Sequence, residues 1–331
     1  MVAPARNGGG RTEAAGRVAV LLHPHGAAAA PQAWARTFDA LQAAVGSVTL
    51  VATHGDGSDR ERIAALLRDE PIDALAAAGG DGTVNAALAA ILASPRPPAL
   101  AFLPLGTGDM IARSLGLASL RGGGERAVTL AVGAIAAGQR RRIDVGVANG
   151  HPFAASFAFG IDAEILALRN RLRRRLGFAG EAGGYVLYLT SCALRVMAQR
   201  GEMVRVMYDG AGSERRHYNL NVMNAPLYAG EFRFDGANDL ADGLLDVHAV
   251  AGALEYLAEY PRAWRRHVHF ERGDPVEPSP LLRRVREVAV DLSRPVPAQI
   301  DGEEFPPAAS FRINVLPRAV TVCVPFAVAG R

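Results

Sequence analysis

Hydrophobic and polar positions along the first 140 residues alternate between short continuous apolar runs and longer stretches of helical period. Arg17 to Leu22 is an apolar run of the kind that forms a buried strand, and His23-Pro24-His25-Gly26 breaks it. From Pro31 to Val45 the residues Trp34, Phe38, Leu41 and Val45 recur at spacings of four, three and four, which predicts a helix. Val48 to Ala52 predicts a second strand, Arg60 to Arg68 a helix, and Ile72 to Ala78 a third strand. A helix-forming stretch, Val84 to Ala93, follows. Pro98 to Leu103 is a fourth strand, with a helix at Met110 to Leu115. Strands that alternate with helices in this way predict a parallel sheet covered on both faces.

The pattern changes near Arg140-Arg141-Arg142. Ile143 to Ala148, Met203 to Tyr208, Tyr218 to Met223, Leu245 to Val250, Val288 to Leu292 and Phe311 to Leu316 read as strands separated by turn residues, which predicts a second, mostly β domain. Two helical stretches interrupt it, Ala163 to Leu176 and Tyr185 to Ala198. In the first, Ile165, Leu168, Leu172 and Leu176 form one stripe, while Arg169, Arg171, Arg173, Arg174 and Arg175 crowd the rest. Such a helix suits an anionic bilayer, and it equally suits a solvated face beside a packed stripe. The second stretch, with Arg195 inside it, falls short of the ~20 residues needed to span a bilayer. Residues 1–16, rich in Gly and Ala without an apolar core, read as a disordered tail rather than a signal peptide.

Composition narrows the chemistry. Half of the residues are hydrophobic and 21% are charged, an ordinary globular profile. No lysine occurs, so all 36 basic residues are arginine, which excludes Schiff-base mechanisms and the lysines of P-loop and protein-kinase sites. Phosphate chemistry here must rest on backbone amides, metal and arginine. A net charge of +3 and an aromatic content of 6% argue against nucleic acid as a partner. Cys192 and Cys323 stand far apart in apolar runs and read as core thiols of a reducing, cytoplasmic compartment.

Four stretches carry candidate chemistry. Gly79-Gly80-Asp81-Gly82-Thr83-Val84-Asn85 lies between a strand and a helix, where glycines with positive φ and the first helical N–H groups would cradle a phosphate. Asp81 beside phosphates calls for Mg2+, bound directly or through water, although Gly-Gly-Asp-Gly is also a good turn anywhere. Pro104-Leu105-Gly106-Thr107-Gly108-Asp109 repeats the strand, glycine loop, helix arrangement. In an open parallel sheet both loops leave the carboxyl ends of their strands, the side where ligands bind. Asp239 and Asp242, three residues apart at a glycine, fit either a hard-cation site or a plain turn. Asp301-Gly302-Glu303 fits either a general base held by a neighbour or a hairpin turn.

With these pieces in order, the chain resembles the lipid kinases that share the diacylglycerol-kinase catalytic domain, among them bacterial diacylglycerol kinases and sphingosine and ceramide kinases. The resemblance covers nearly everything after residue 16. It rests on the two glycine loops, Ala112-Arg113-Ser114-Leu115-Gly116, Asp239-x-x-Asp242-Gly243-Leu244-Leu245-Asp246 and Gln299-Ile300-Asp301-Gly302-Glu303. It implies an α/β nucleotide domain like that of phosphofructokinases and NAD kinases over 17–142, joined by a C-terminal return of 320–331. A β-sandwich domain for the lipid substrate would fill 143–319, with the active site in the cleft between the two. By matching position, Thr53, Gly79, Gly80, Asp81, Gly82, Thr83, Asn85 and Thr107 would bind ATP. Asp239, Asp242 and the carbonyl of Leu244 would hold a structural Mg2+, and Asp301, supported by Glu303, would be the catalytic base. The resemblance also implies peripheral contact with an anionic membrane on its cytoplasmic side and leaves a homodimer open.

The chain departs from the family at two places. His23-Pro24 stands where Asn-Pro is usual. Asp109-Met110 stands where the second loop usually has Asn-Asp or Asn with another residue, so that Asp109 either serves from one position earlier or the site is weakened. The rival enzyme class is an NAD kinase, which shares Gly-Gly-Asp-Gly-Thr but would carry an Asn-Glu-type substrate motif. The rival from outside enzymology is a nucleotide- or lipid-binding regulator that has lost activity.

Overall fold

The computed structural model describes residues 16–54, 58–106, 108–136, 139–176, 190–196, 201–236 and 239–325. Thr107 and half of the predicted Tyr185–Ala198 helix, residues 185–189 and 197–198, lie outside the described residues. The chain divides into two compact units, one of Met1–Ile143 with Ala319–Arg331 and one of Asp144–Arg318.

The first unit alternates strand and helix. Strand β1 (Arg17–Leu22) leads through a short α1 (Pro24–Ala29) and α2 (Pro31–Ala44) to β2 (Ser47–Ala52), and α3 (Asp59–Asp69) leads to β3 (Ala74–Gly79). Then come α4 (Asp81–Ala93), β4 (Ala99–Pro104), the five-residue α5 (Met110–Ser114) and α6 (Gly124–Ala136). The strands pair in parallel in the order β2, β1, β3, β4, and the C-terminal segment adds to the edge through Val322 beside Leu100. β3 and β4 are buried at every position, as a parallel sheet with helices on its faces requires. Pro24 sets the first turn of α1, so the His-Pro-His-Gly segment that was expected only to break the strand forms a helix. In α2 the buried positions are Ala33, Thr37 and Leu41, while Trp34 and Phe38 sit half-buried with rings 5.4 Å apart.

The second unit is mainly antiparallel. β5 (Gln139–Ala148), which begins in the first unit, β6 (His151–Phe153) and β7 (Ser156–Gly160) lead into α7 (Ile161–Leu176). They are followed by β8 (Glu202–Tyr208), β9 (Ala211–His217), β10 (Asn219–Met223), β11 (Leu245–Val250), α8 (Ala253–Glu271), β12 (Leu282–Val285), β13 (Glu287–Ile300) and β14 (Glu303–Val324). β13 pairs with β8 over residues 288–292 and with β7 over 298–300, with register shifts between Asp291 and Ala298. This irregularity lets one strand serve two partners and turns the sheet into a sandwich. Phe157, Phe159 and Phe311 fill its core, with ring centroids 5.1 and 5.9 Å apart. Truncating any of them would cost about 3–5 kcal/mol.

Candidate functional site

In the first unit the register Gly79 to Pro104 makes the two glycine loops leave the sheet side by side. The Leu105 amide donates to the carbonyl of Gly79 (3.1 Å), and the Met110 amide donates to Oδ1 of Asp81 (3.0 Å). Each loop thus holds the other. The glycines are needed here for close approach rather than for positive φ. Gly80 has φ −97°, Gly82 lies in the first turn of α4, and the left-handed residue of the region is Asp109 with φ +47°. A Cβ on Gly106 would lie 2.5 Å from Cα of Gly80, and one on Gly79 would lie 2.2 Å from Oγ1 of Thr83. The expectation of positive φ is therefore corrected to one of steric room, which serves phosphate approach equally well.

Asp81 opens α4, a thirteen-residue helix with Gly80 as its N-cap, Thr83 buried in its first turn and Asn85 half-buried behind it. Helix amides and dipole there favour an anion. Thr53, buried at the end of β2, is fixed by its amide on the carbonyl of Leu22 (2.8 Å). Asp109 is buried too. Its Oδ1 accepts from the Gly106 amide (3.1 Å), while its Oδ2 has no hydrogen-bond partner among the described residues. Burial raises its carboxyl to about 6, against the pull of the Gly106 amide, Arg121 and Arg113.

The second unit holds the other candidates. Asp301 and Gly302 are the two central residues of the β13–β14 hairpin, with Ile300 opposite Glu303 and φ of +49° and +80°, as a primed turn requires. The buried Asp301 carboxylate accepts three amides, from Ala155 (2.8 Å) and Ser156 (2.8 Å) at Oδ1 and from Ala154 (2.9 Å) at Oδ2. These bonds lock its orientation and stabilise its anion. Glu303 is the first residue of the returning strand and is exposed.

Asp239 and Asp242 lie just before β11. Oδ1 of Asp242 accepts the Leu244 amide (2.9 Å), the bond of an Asx turn. Its carboxyl is raised by burial. The Leu244 amide and Arg284 oppose that shift, and the neighbouring charges of Asp144 and Asp239 reinforce it. Asp144, absent from the sequence reading, is fully buried. It accepts the amides of Gly243 (2.6 Å) and Arg318 (2.7 Å). Its signal in the sequence was a lone acid within the apolar run Ile143 to Ala148. The charges of Asp144 and Asp239 thus both bear on Asp242 beside this backbone turn. No group of three or more His, Cys, Asp or Glu side chains is arranged to ligate a metal among the described residues.

Sequence reasoning also passed over Asp162, in the first turn of α7. Its carboxylate receives Asn219 Nδ2 (2.7 Å) and the hydroxyls of Tyr228 (2.8 Å), Tyr256 (2.7 Å) and Tyr260. Gln299 extends the network by donating to Tyr228 (2.9 Å), two residues before Asp301. Only the tertiary fold brings these residues together. A buried network so fully bonded is rigid, and it fixes the end of β13 from which the Asp301 turn springs.

The fold and these sites match known proteins over most of the chain. Residues 17–148 match the diacylglycerol kinase catalytic domain, and residues 155–324 match the YegS C-terminal NAD kinase beta sandwich-like domain. The chain belongs to the family of lipid kinases built from these two domains, and it is an enzyme of that class. Among its relatives, a diacylglycerol kinase of Bacillus subtilis is 25% identical over 251 residues, covering 75% of this chain and 76% of the relative. A probable lipid kinase YegS-like protein of Pectobacterium atrosepticum is 29% identical over 260 residues, covering 76% and 78%. A solved structure of a diacylglycerol kinase from Bacillus anthracis superposes with a TM-score of 0.68 at 18% identity, over 95% of this chain and 99% of that one. This last likeness shows the shared fold.

Proposed function

We propose that the enzyme transfers the γ-phosphoryl group of ATP to a free hydroxyl of a diacylglycerol-like or sphingoid lipid. The observation that carries this reading is the pair of interlocked glycine loops at the carboxyl ends of β3 and β4, with Asp81 and Asp109 on them. Gly79, Gly80, Asp81, Gly82, Thr83 and Asn85, with Thr53 and Thr107, would hold the nucleotide. Backbone amides and the α4 N-terminus supply the positive potential that lysine supplies elsewhere. ATP brings the transferable group and Mg2+ the charge neutralisation that phosphoryl transfer needs. Asp239, Asp242 and the Leu244 carbonyl, with Asp144 behind them, would hold a structural Mg2+ in the second unit.

Asp301 would take the hydroxyl proton, with Glu303 close by in sequence. The loose transition state of phosphoryl transfer asks the protein mainly for positioning, and the three amides hold the Asp301 carboxylate in one orientation. Its fixed orientation is the larger contribution. The arginine-rich end of α7, with Arg171, Arg173 and Arg175 exposed and Arg174 bonded to Glu304 (3.3 Å), supports contact with an anionic surface. No helix among the described residues is long and apolar enough to cross a membrane. A radiolabelled-ATP assay over a panel of hydroxylated lipids, with NAD as a control acceptor, tests the proposal. Label in the organic phase supports it, and label in NAD alone, or ATP hydrolysis without lipid product, overturns it.

A further inference from the structure

The α8 helix has two opposite faces. Inward it buries Tyr256, Glu259 and Ala263, and Glu259 is clamped by Arg266 (2.7 Å) and the Ser279 hydroxyl (2.6 Å). Outward it presents Leu254, Leu257, Pro261 and Trp264, at spacings of three, four and three residues, the repeat of a single stripe. Leu254 is 85% exposed, Leu257 52% and Trp264 49%, values that leave these side chains without cover among the described residues. Phe270 is different, because Arg233 stacks on its ring at 3.5 Å.

Beside the apolar stripe runs a basic one. Arg262 and Arg265 are exposed on the adjoining strip of the same outer face, and Arg272, the residue that caps the end of the helix, is exposed as well. Arg262 makes one ion pair, to Glu259 at 3.7 Å, from a side chain 61% exposed, so its charge remains accessible to solvent. The outward acids are Glu255 and Glu271, near the two ends of the helix, and Glu255 accepts the Ala251 amide (2.6 Å). An exposed face divided into an aliphatic and tryptophan half and an arginine half matches the boundary between acyl chains and anionic headgroups. Among the described residues, the same face of α8 on a second copy would offer these arginines no acidic stripe.

We infer that the outer face of α8 is a membrane-docking surface, which seats Leu254, Leu257 and Trp264 among acyl chains while Arg262, Arg265 and Arg272 engage anionic headgroups. The inference rests on the lipid-kinase reading only for the source of the bilayer. It is distinct from the arginines of α7, beside which Leu168 and Leu172 are half-buried.

Trp34 and Trp264 are the only tryptophans, so a Trp34→Phe protein reports on Trp264 alone. Its fluorescence is followed on titration with phosphatidylcholine vesicles with and without phosphatidylglycerol, in the absence of ATP and of any acceptor lipid. Anionic vesicles should shift the emission to the blue, and high salt should reverse the shift. Arg262→Gln, Arg265→Gln and Arg272→Gln together should weaken binding roughly 100-fold, from about five-fold per juxtamembrane arginine. Leu257→Asp should abolish the shift while leaving thermal melting unchanged, since the side chain is outward. Vesicle binding with unshifted Trp264 emission, or binding lost on glutamine substitution of the α7 arginines but kept in the α8 variants, would overturn the inference. So would a blue shift that follows protein concentration without vesicles, which would assign the face to a second copy. Turnover on a short-chain, water-soluble acceptor should be unchanged in the α8 variants. Loss of vesicle docking therefore stays separable from failure of the kinase reading.

Discussion

Asp109→Asn should stabilise the first unit at neutral pH and do so much less in acid. The wild-type carboxyl is buried in the second glycine loop, with Oδ1 on the Gly106 amide and Oδ2 lacking a partner among the described residues. Arg113 and Arg121 favour its charged form, Asp81 lies on the adjoining loop, and burial still raises it to about 6 from 3.8. An acid whose folded value is raised binds its proton more tightly folded than unfolded, so stability falls as pH rises through the interval between 3.8 and 6. The penalty is about 1 kcal/mol at pH 4.5 and about 3 kcal/mol at pH 7.5, from ~1.4 kcal/mol per unit. Asparagine keeps the acceptor for Gly106 and does not titrate. Its advantage over aspartate should therefore grow by about 2 kcal/mol between the two pH values, however well the new amide is solvated. At roughly 2–4 °C per kcal/mol for a unit of this size, that is roughly 4–8 °C. Calorimetric melting of both proteins at both pH values measures the difference. A difference in Tm between variant and wild type that does not change with pH would refute the argument that Asp109 is held in an environment hostile to its charge.

Three further predictions follow from contacts in the sites. Gly106→Ala should cost about 1–3 kcal/mol and weaken ATP binding, because the new Cβ must move Gly80 or Asp109; unchanged affinity in a titration would show that the loops are not interlocked. Millimolar Mg2+ should raise the Tm of the wild type and not of Asp242→Ala, by linkage of binding to folding, and an equal response in both would leave Asp239–Leu244 a plain turn. Asp301→Asn should lower stability by about 1–3 kcal/mol, since its Nδ2 would face the amide of Ala154; a melting curve like the wild type's would contradict the three-amide clamp.

The fold class was legible wherever the apolar runs were local. Arg17–Leu22 and Leu245–Val250 appear as strands with the bounds expected, and Ile161–Leu176 differs from the expected helix by two residues. α8 was missed because Pro261 and a run of aromatic, histidine and arginine residues hide its period, and tertiary packing overrides the weak local preference. α6 was missed as well; Gly124 opens it and Gly133 lies inside it. The glycine loops stood out by composition, but the reason for their glycines did not, since close approach between two loops depends on strand register and not on sequence spacing. Asp144, the Asp162 network and the amides that clamp Asp301 are contacts across 57 to 174 residues, and no local pattern announces them.

In the proposed reaction a lipid hydroxyl would attack a nucleotide phosphate with Asp301 as its proton acceptor. Single-turnover transfer from ATP to the lipid acceptor, measured for wild type and Asp301→Asn under conditions where both are folded, tests it most directly, alongside ATP affinity. Transfer should fall about 100-fold or more while ATP affinity changes little. Near-normal transfer by Asp301→Asn would contradict the assignment and move the search to Asp81.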